Sequence, residues 1–208
     1  MSGPIVICEC FARDGLQNEP VFVPTADKIR AISAFAAAGF PRIEATSYSH
    51  PKWVPAFGDA SEVLAAIPRA PGRAYKATCP NQQAVTRAIG DLEASHGAEE
   101  ISFLVSATES HSQRNLRRGR AGQWQNVEEM AAMAGDRFIT VGVVSVALGC
   151  PFEGKVDEGS VVEDVARFAA LGARYATIGD TTGLGTPATV RALFTRILRE
   201  VPGIITVA

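Results

Sequence analysis

Strand-like and helix-like segments alternate along this chain with little between them, and that order restricts the fold more than any other feature. Residues 4–10 read as a strand, with Ile5-Val6-Ile7 as a buried apolar run. Residues 25–38 have helical period, with Thr25 as N-cap and Gly39 as the stop. Strand-like runs follow at 42–46, 73–79, 100–106, 138–147, 175–179 and 204–207. Helical runs lie between them at 59–67, 81–89, 123–134 and 160–171. Thr186-Pro187 then opens a last helix, a cap followed by proline in the first turn, running to about Glu200. Seven strands and six helices in strict βα order require a parallel sheet covered by helices. A (β/α)8 TIM barrel fits this order better than an open doubly wound sheet. A complete barrel takes about 250 residues, and these 208 end at strand seven, so an incomplete barrel in one domain is expected.

Composition agrees and narrows the partners. A hydrophobic content of 47% supports a sizeable core. The formal net charge of -2 gives no reason to expect nucleic acid or an anionic membrane. No apolar run approaches the roughly 20 residues of a spanning helix, and the N-terminus lacks the blocks of a signal peptide. Four cysteines, at 8, 10, 79 and 150, are too few for a disulfide framework at this size, so a reduced cytoplasmic setting is expected. Cys8 and Cys10 share a strand face and read as small core residues.

Polar residues gather where the strands end, the side on which barrel active sites lie. Strand one delivers Arg13 and Asp14, a cation beside a metal-capable carboxylate. Strand two delivers Glu44, and strand six delivers Asp180. Glu9 sits on the face of Ile7 and would need a partner if it points inward. Asp180 has a second reading as a helix N-terminal cap. Cys150, at the end of strand five, reads as rim packing.

Five motifs then make the chain recognisable. They are Arg13-Asp14-Gly15-Leu16-Gln17-Asn18-Glu19, Ile43-Glu44-Ala45-Thr46-Ser47, Pro51-Lys52-Trp53-Val54-Pro55, Leu148-Gly149-Cys150-Pro151-Phe152-Glu153-Gly154, and 179–187, Gly-Asp-Thr-Thr-Gly-Leu-Gly-Thr-Pro. In order and spacing they resemble the 3-hydroxy-3-methylglutaryl-CoA lyase family of metal-dependent barrel lyases, from residue 5 to the end. The resemblance implies one partial lyase domain of pyruvate carboxyltransferase type over 1–208. It implies cleavage of 3-hydroxy-3-methylglutaryl-CoA, or a related 3-hydroxyacyl-CoA, to acetyl-CoA and acetoacetate. Asp14 is implied as a ligand of Mg²⁺ or Mn²⁺. Arg13 is implied to bind the substrate carbonyl and stabilise the enolate. Glu44 and Asp180 are implied as further carboxylates of the catalytic cavity. An acyl-CoA thioester substrate, a homodimer and a place in leucine degradation are implied likewise.

Departures from the family pattern accompany these matches. Phe11-Ala12 stands where the family has Gly-Pro, and Tyr48-Ser49-His50 where a Phe-Val-Ser-like run is usual, so acyl specificity is open. The family's His-x-His, a further Asn and the glycine-loop cysteine have no counterpart in these 208 residues; His50, His96 and His111 lack that spacing. Residues 1–208 alone are therefore expected to show little or no lyase activity, and to expose apolar strand edges prone to aggregation. Two alternatives remain: a Claisen-condensing synthase of the isopropylmalate or homocitrate type, and a non-catalytic chain that binds CoA esters.

Overall fold

The computed structural model describes residues 6–207. Its seven strands are Cys8–Glu9 (β1), Arg42–Ser47 (β2), Ala74–Thr78 (β3), Glu100–Ser106 (β4), Ile139–Ser145 (β5), Tyr175–Ile178 (β6) and Ile205–Val207 (β7). Their order in the sheet is their order in the chain. Each recorded strand pair is parallel: β1 with β2, β2 with β3, β5 with β6, and β6 with β7. The helices are Thr25–Ala37 (α1), Ala60–Ala66 (α2), Gln82–Glu93 (α3), Glu109–Leu116 (α4), Arg120–Ala134 (α5), Glu158–Ala170 (α6) and Pro187–Glu200 (α7). The fold is an incomplete (β/α)8 barrel. The chain divides into two compact units, residues 1–101 and 102–208.

In the first unit all six residues of β2 are buried, as a parallel strand covered on both faces requires. Arg42 and Glu44 align with Ala74 and Lys76 of β3, and the register shifts between Glu44 and Thr46. Ile32 of α1, Val63 and Leu64 of α2, and Val85 and Ala88 of α3 fill the core with Ile43 and Tyr75. Buried polar groups are paired. Lys28 donates to both carboxylate oxygens of Asp59, at 2.8 and 2.9 Å, and to the Ala56 carbonyl at 2.6 Å. Arg42 grips both oxygens of Glu100, with a shortest contact of 2.6 Å.

In the second unit the rings of Trp124 and Phe168 lie 4.8 Å apart, among Val127, Met130, Val161 and Val165. Gly142 of β5 lies under the Phe168 ring, where an added Cβ would come within 2.2 Å of a ring carbon. Gly142→Ala is therefore expected to destabilise the protein by about 1–3 kcal/mol through overpacking. Gly90→Ala meets nothing within 4 Å in α3 and is expected to stabilise through helix propensity. Urea midpoints compare the two; an unmoved midpoint for G142A contradicts the packing argument. Thr186 and Thr189 form a reciprocal capping box, with Pro187 in the first turn of α7.

Several local expectations are corrected. Ile5 lies outside the described residues; Val6 and Ile7 are 55% and 60% exposed, because β1 is an edge strand of only two residues. Cys8 and Cys10 are half-buried for the same reason, not core residues. The N-cap of α1 is Pro24, and the Thr25 hydroxyl instead donates to Asp59 at 2.8 Å. The described residues form seven α-helices where six are expected: α4 is additional, and α5 starts at Arg120, three residues before the expected Gln123.

Candidate active site

Beyond Glu9 the backbone leaves β1 and makes one turn of π-helix, Phe11–Gly15, closed by the Leu16 N–H on the Phe11 carbonyl at 3.1 Å. Such turns occur often at functional sites. Here the turn buries Ala12 and gives its two charged residues unequal exposure. Arg13 points back to the strands, with its side chain 21% exposed; the Asp14 side chain is 74% exposed. Phe11 packs edge-on against Phe35 of α1, with centroids 6.1 Å apart. Glu9 does not reach a distant partner among the recorded hydrogen bonds; its carboxylate accepts from the Phe11 N–H at 2.9 and 3.1 Å and so starts the turn.

Arg13 and Glu44 meet directly. Arg13 Nε donates to Glu44 Oε1 at 2.7 Å, and Arg13 Nη1 donates to Asp14 Oδ1 at 3.0 Å and Gln17 Oε1 at 3.4 Å. The Thr78 hydroxyl donates to Glu44 Oε1 at 2.7 Å, and Lys76 Nζ lies 2.9 Å from Oε2. Lys76 and Thr78 come from β3, and neither was singled out from the sequence. Lys76 is directly across the strand pair from Glu44, a placement that only the register reveals.

Burial alone would push the Glu44 carboxyl up, but the Lys76 and Arg13 charges and the hydrogen bonds from Lys76 and Thr78 outweigh it and hold it at about 2. The two cations thus favour the ionised form of Glu44 at neutral pH. Its folded pKa lies below the ordinary 4.5, so its stabilising contribution is present above about pH 4.5 and is lost as pH falls toward 2. Acid unfolding of Glu44→Gln, followed by circular dichroism, should lose slope in that window; an unchanged slope would contradict the assignment.

Beside the turn, a shallow cavity of about 490 Å³ is lined by Cys8, Glu9, Cys10, Phe11 and Asp14, among others. The neighbouring Cys10 thiol and burial both push Cys8 up, whereas the Cys8 thiol brings Cys10 down to about 7 against the effect of burial. Burial pushes Cys79 up. Iodoacetamide at pH 7.5 should therefore alkylate Cys10 before Cys8 and Cys79. Peptide mass spectrometry reads the order, and equal labelling would refute it.

The second unit carries its own strand-end residues. Asp180 accepts from the Leu184 N–H at 3.0 Å and the Gly185 N–H at 2.9 Å. It braces the loop after β6; Thr186 supplies the N-cap of α7. Cys150 is buried, with its sulfur 3.0 Å from the Thr108 hydroxyl and accepting from the Phe152 N–H at 3.4 Å. Ser106 and His111 Nδ1 lie 2.8 Å apart, another pair the sequence did not announce.

A divalent cation needs several oxygen or nitrogen ligands. Asp14 offers an exposed carboxylate suited to one position of such a set. Glu44 is engaged by Lys76, Arg13 and Thr78, and the described residues contain no group of three or more His, Cys, Asp or Glu able to hold a metal. By themselves the described residues do not complete a metal site.

A buried carboxylate, an arginine and an exposed aspartate thus meet beside β1 and β2 of an incomplete parallel barrel. The chain belongs to the HMGL-like family, whose model matches residues 4–208. It is 39% identical over 199 residues to the mitochondrial hydroxymethylglutaryl-CoA lyase of Rattus norvegicus, covering 95% of this chain and 60% of that protein. Among solved structures, the HMG-CoA lyase of Brucella melitensis matches with a TM-score of 0.90 and 37% identity, over 99% of this chain and 71% of that one. An HMG-CoA lyase of Acinetobacter baumannii, in complex with coenzyme A and 3-methylmalate, matches with a TM-score of 0.89 and 32% identity, over 97% and 65% of the two chains. The chain thus spans about 60% of the length of the curated relatives it matches.

Proposed function

We propose that this protein is a carbon–carbon lyase that cleaves 3-hydroxy-3-methylglutaryl-CoA, or a close 3-hydroxyacyl-CoA, to acetyl-CoA and acetoacetate. The observation that carries this reading is the contact of Arg13, beyond β1, with Glu44 inside β2, in a chain of the HMGL-like family. Cleavage transfers the electron pair of the C2–C3 bond to the thioester, creating an enolate. Arg13, held through its Nε, stabilises charge on the thioester oxygen as it develops. Glu44 stays ionised and aims the guanidinium. Asp180, oriented by two backbone N–H groups, takes the proton of the tertiary hydroxyl as the C3 carbonyl of acetoacetate forms, and a proton from solvent then adds to C2 of the enolate to give acetyl-CoA. Asp14 would hold one position of Mg²⁺ or Mn²⁺, a cation that would supply Lewis-acid polarisation of the substrate oxygens when bound. A cytoplasmic setting belongs to the same reading and rests on four free cysteines. No helix among the described residues is long and apolar enough to cross a membrane.

The test is to incubate the complete gene product with 3-hydroxy-3-methylglutaryl-CoA and Mn²⁺ and to quantify both products. Equal amounts of acetyl-CoA and acetoacetate are expected. Condensation of acetyl-CoA with a 2-oxo acid, without cleavage, would overturn the lyase in favour of a synthase.

A further inference from the structure

Two buried ion pairs in the first unit are built to different stoichiometry. Glu100 faces one recorded cation, Arg42, in a two-pronged contact through Nε and Nη2. Glu44 is shared. Lys76 Nζ lies 2.9 Å from one oxygen, and Arg13 Nε lies 2.7 Å from the other. Two cations therefore face one buried anion. Lys76 is 6% exposed, so water screens it little. Asp14 also contacts Arg13, at 3.0 Å, but its side chain is 74% exposed, so solvent weakens its pull on the guanidinium relative to that of buried Glu44.

We infer that Lys76 is a positioning residue: by neutralising Glu44 from the far side, it leaves Arg13 oriented yet with net positive charge to offer an anionic oxygen. A lone Glu44–Arg13 pair would hold the guanidinium equally well but cancel its field. Electrostatic stabilisation depends on charge aimed at the place where negative charge develops. The Lys76 ammonium supplies the balance without touching substrate, and Thr78 keeps the shared Oε1 in place. This inference rests on the lyase reading for its catalytic consequence, but charge sharing at Glu44 is a property of the protein without substrate.

Lys76→Met and Lys76→Gln test it in the complete gene product. Gln keeps a hydrogen-bond donor toward Glu44 and removes the charge. Both variants should lower kcat about 10- to 100-fold, somewhat less than loss of a direct donor, with KM within about threefold. Lys76→Ala should regain activity with added propylammonium, which replaces the missing arm and charge. Independently of activity, the Arg13 Nε–H proton resonance should move downfield in K76M and K76Q, as Arg13 becomes the one charged partner left to Glu44. Unchanged kcat in folded variants, absence of ammonium rescue, or an unmoved resonance would each overturn the role. If wild-type protein cleaves nothing, the lyase reading falls, while the resonance still decides whether Lys76 shares Glu44.

Discussion

Arg13→Gln should lower kcat for the proposed cleavage by about 10²–10³-fold, the usual loss on removing one oxyanion donor, with a smaller change in KM. Gln can still reach Glu44 as a neutral donor, so the local hydrogen bonding is partly kept. What disappears is the positive charge at the developing enolate. Because the Arg13 side chain is 21% exposed while Glu44 is buried, the substitution exposes little new surface but leaves Glu44 with Lys76 and Thr78 as partners. Stability should fall less than activity. Steady-state kinetics with 3-hydroxy-3-methylglutaryl-CoA, beside a urea melt, separate the two. A kcat within threefold of wild type would remove Arg13 from the chemistry.

The largest stability loss is expected at Arg42→Met. The guanidinium of Arg42 donates to both oxygens of Glu100 at 2.6–3.2 Å, and both side chains are buried. Removing one partner leaves a buried carboxylate uncompensated, at a cost of about 3–5 kcal/mol. Replacing both, as R42M with Glu100→Leu, should recover most of that loss or exceed wild type, since the desolvation penalty goes with the charges. Urea denaturation of the two single variants and the double variant measures the coupling. Additive losses would show that the pair is not a unit.

The barrel order and most of its elements were legible because buried parallel strands and their crossover helices differ in period. β4 was read to the residue, at Glu100–Ser106. Elements that bury little apolar surface were not legible. α4 has the sequence Glu-Ser-His-Ser-Gln-Arg-Asn-Leu and buries only Ser112, so it has no apolar face to detect. Its signals were a Thr before an acidic first turn, with Arg114 in the last, and these are weak without a hydrophobic stripe. The first turn of α5 is likewise polar, held by Arg120 on Asp164 at 2.9 Å and on the Ser106 carbonyl. At the site, Arg13, Asp14 and Glu44 stood out because charged residues at strand ends are conspicuous. Lys76 did not, since nothing within Ala74–Thr78 shows which residue of β2 it faces. The cross-strand alignment with Glu44 turns that position inward, and alignment between strands is not written in either strand alone.

The sheet order also bears on how the chain is made. Each strand lies beside the one that precedes it in the chain: Ile43 aligns with Tyr75, Val141 with Tyr175, and Tyr175 with Ile205. After the first pair, each emerging strand has an earlier neighbour already synthesised. The sheet can therefore grow in the direction of translation, one βα step per advance of the ribosome, with each edge waiting only for the next strand to emerge.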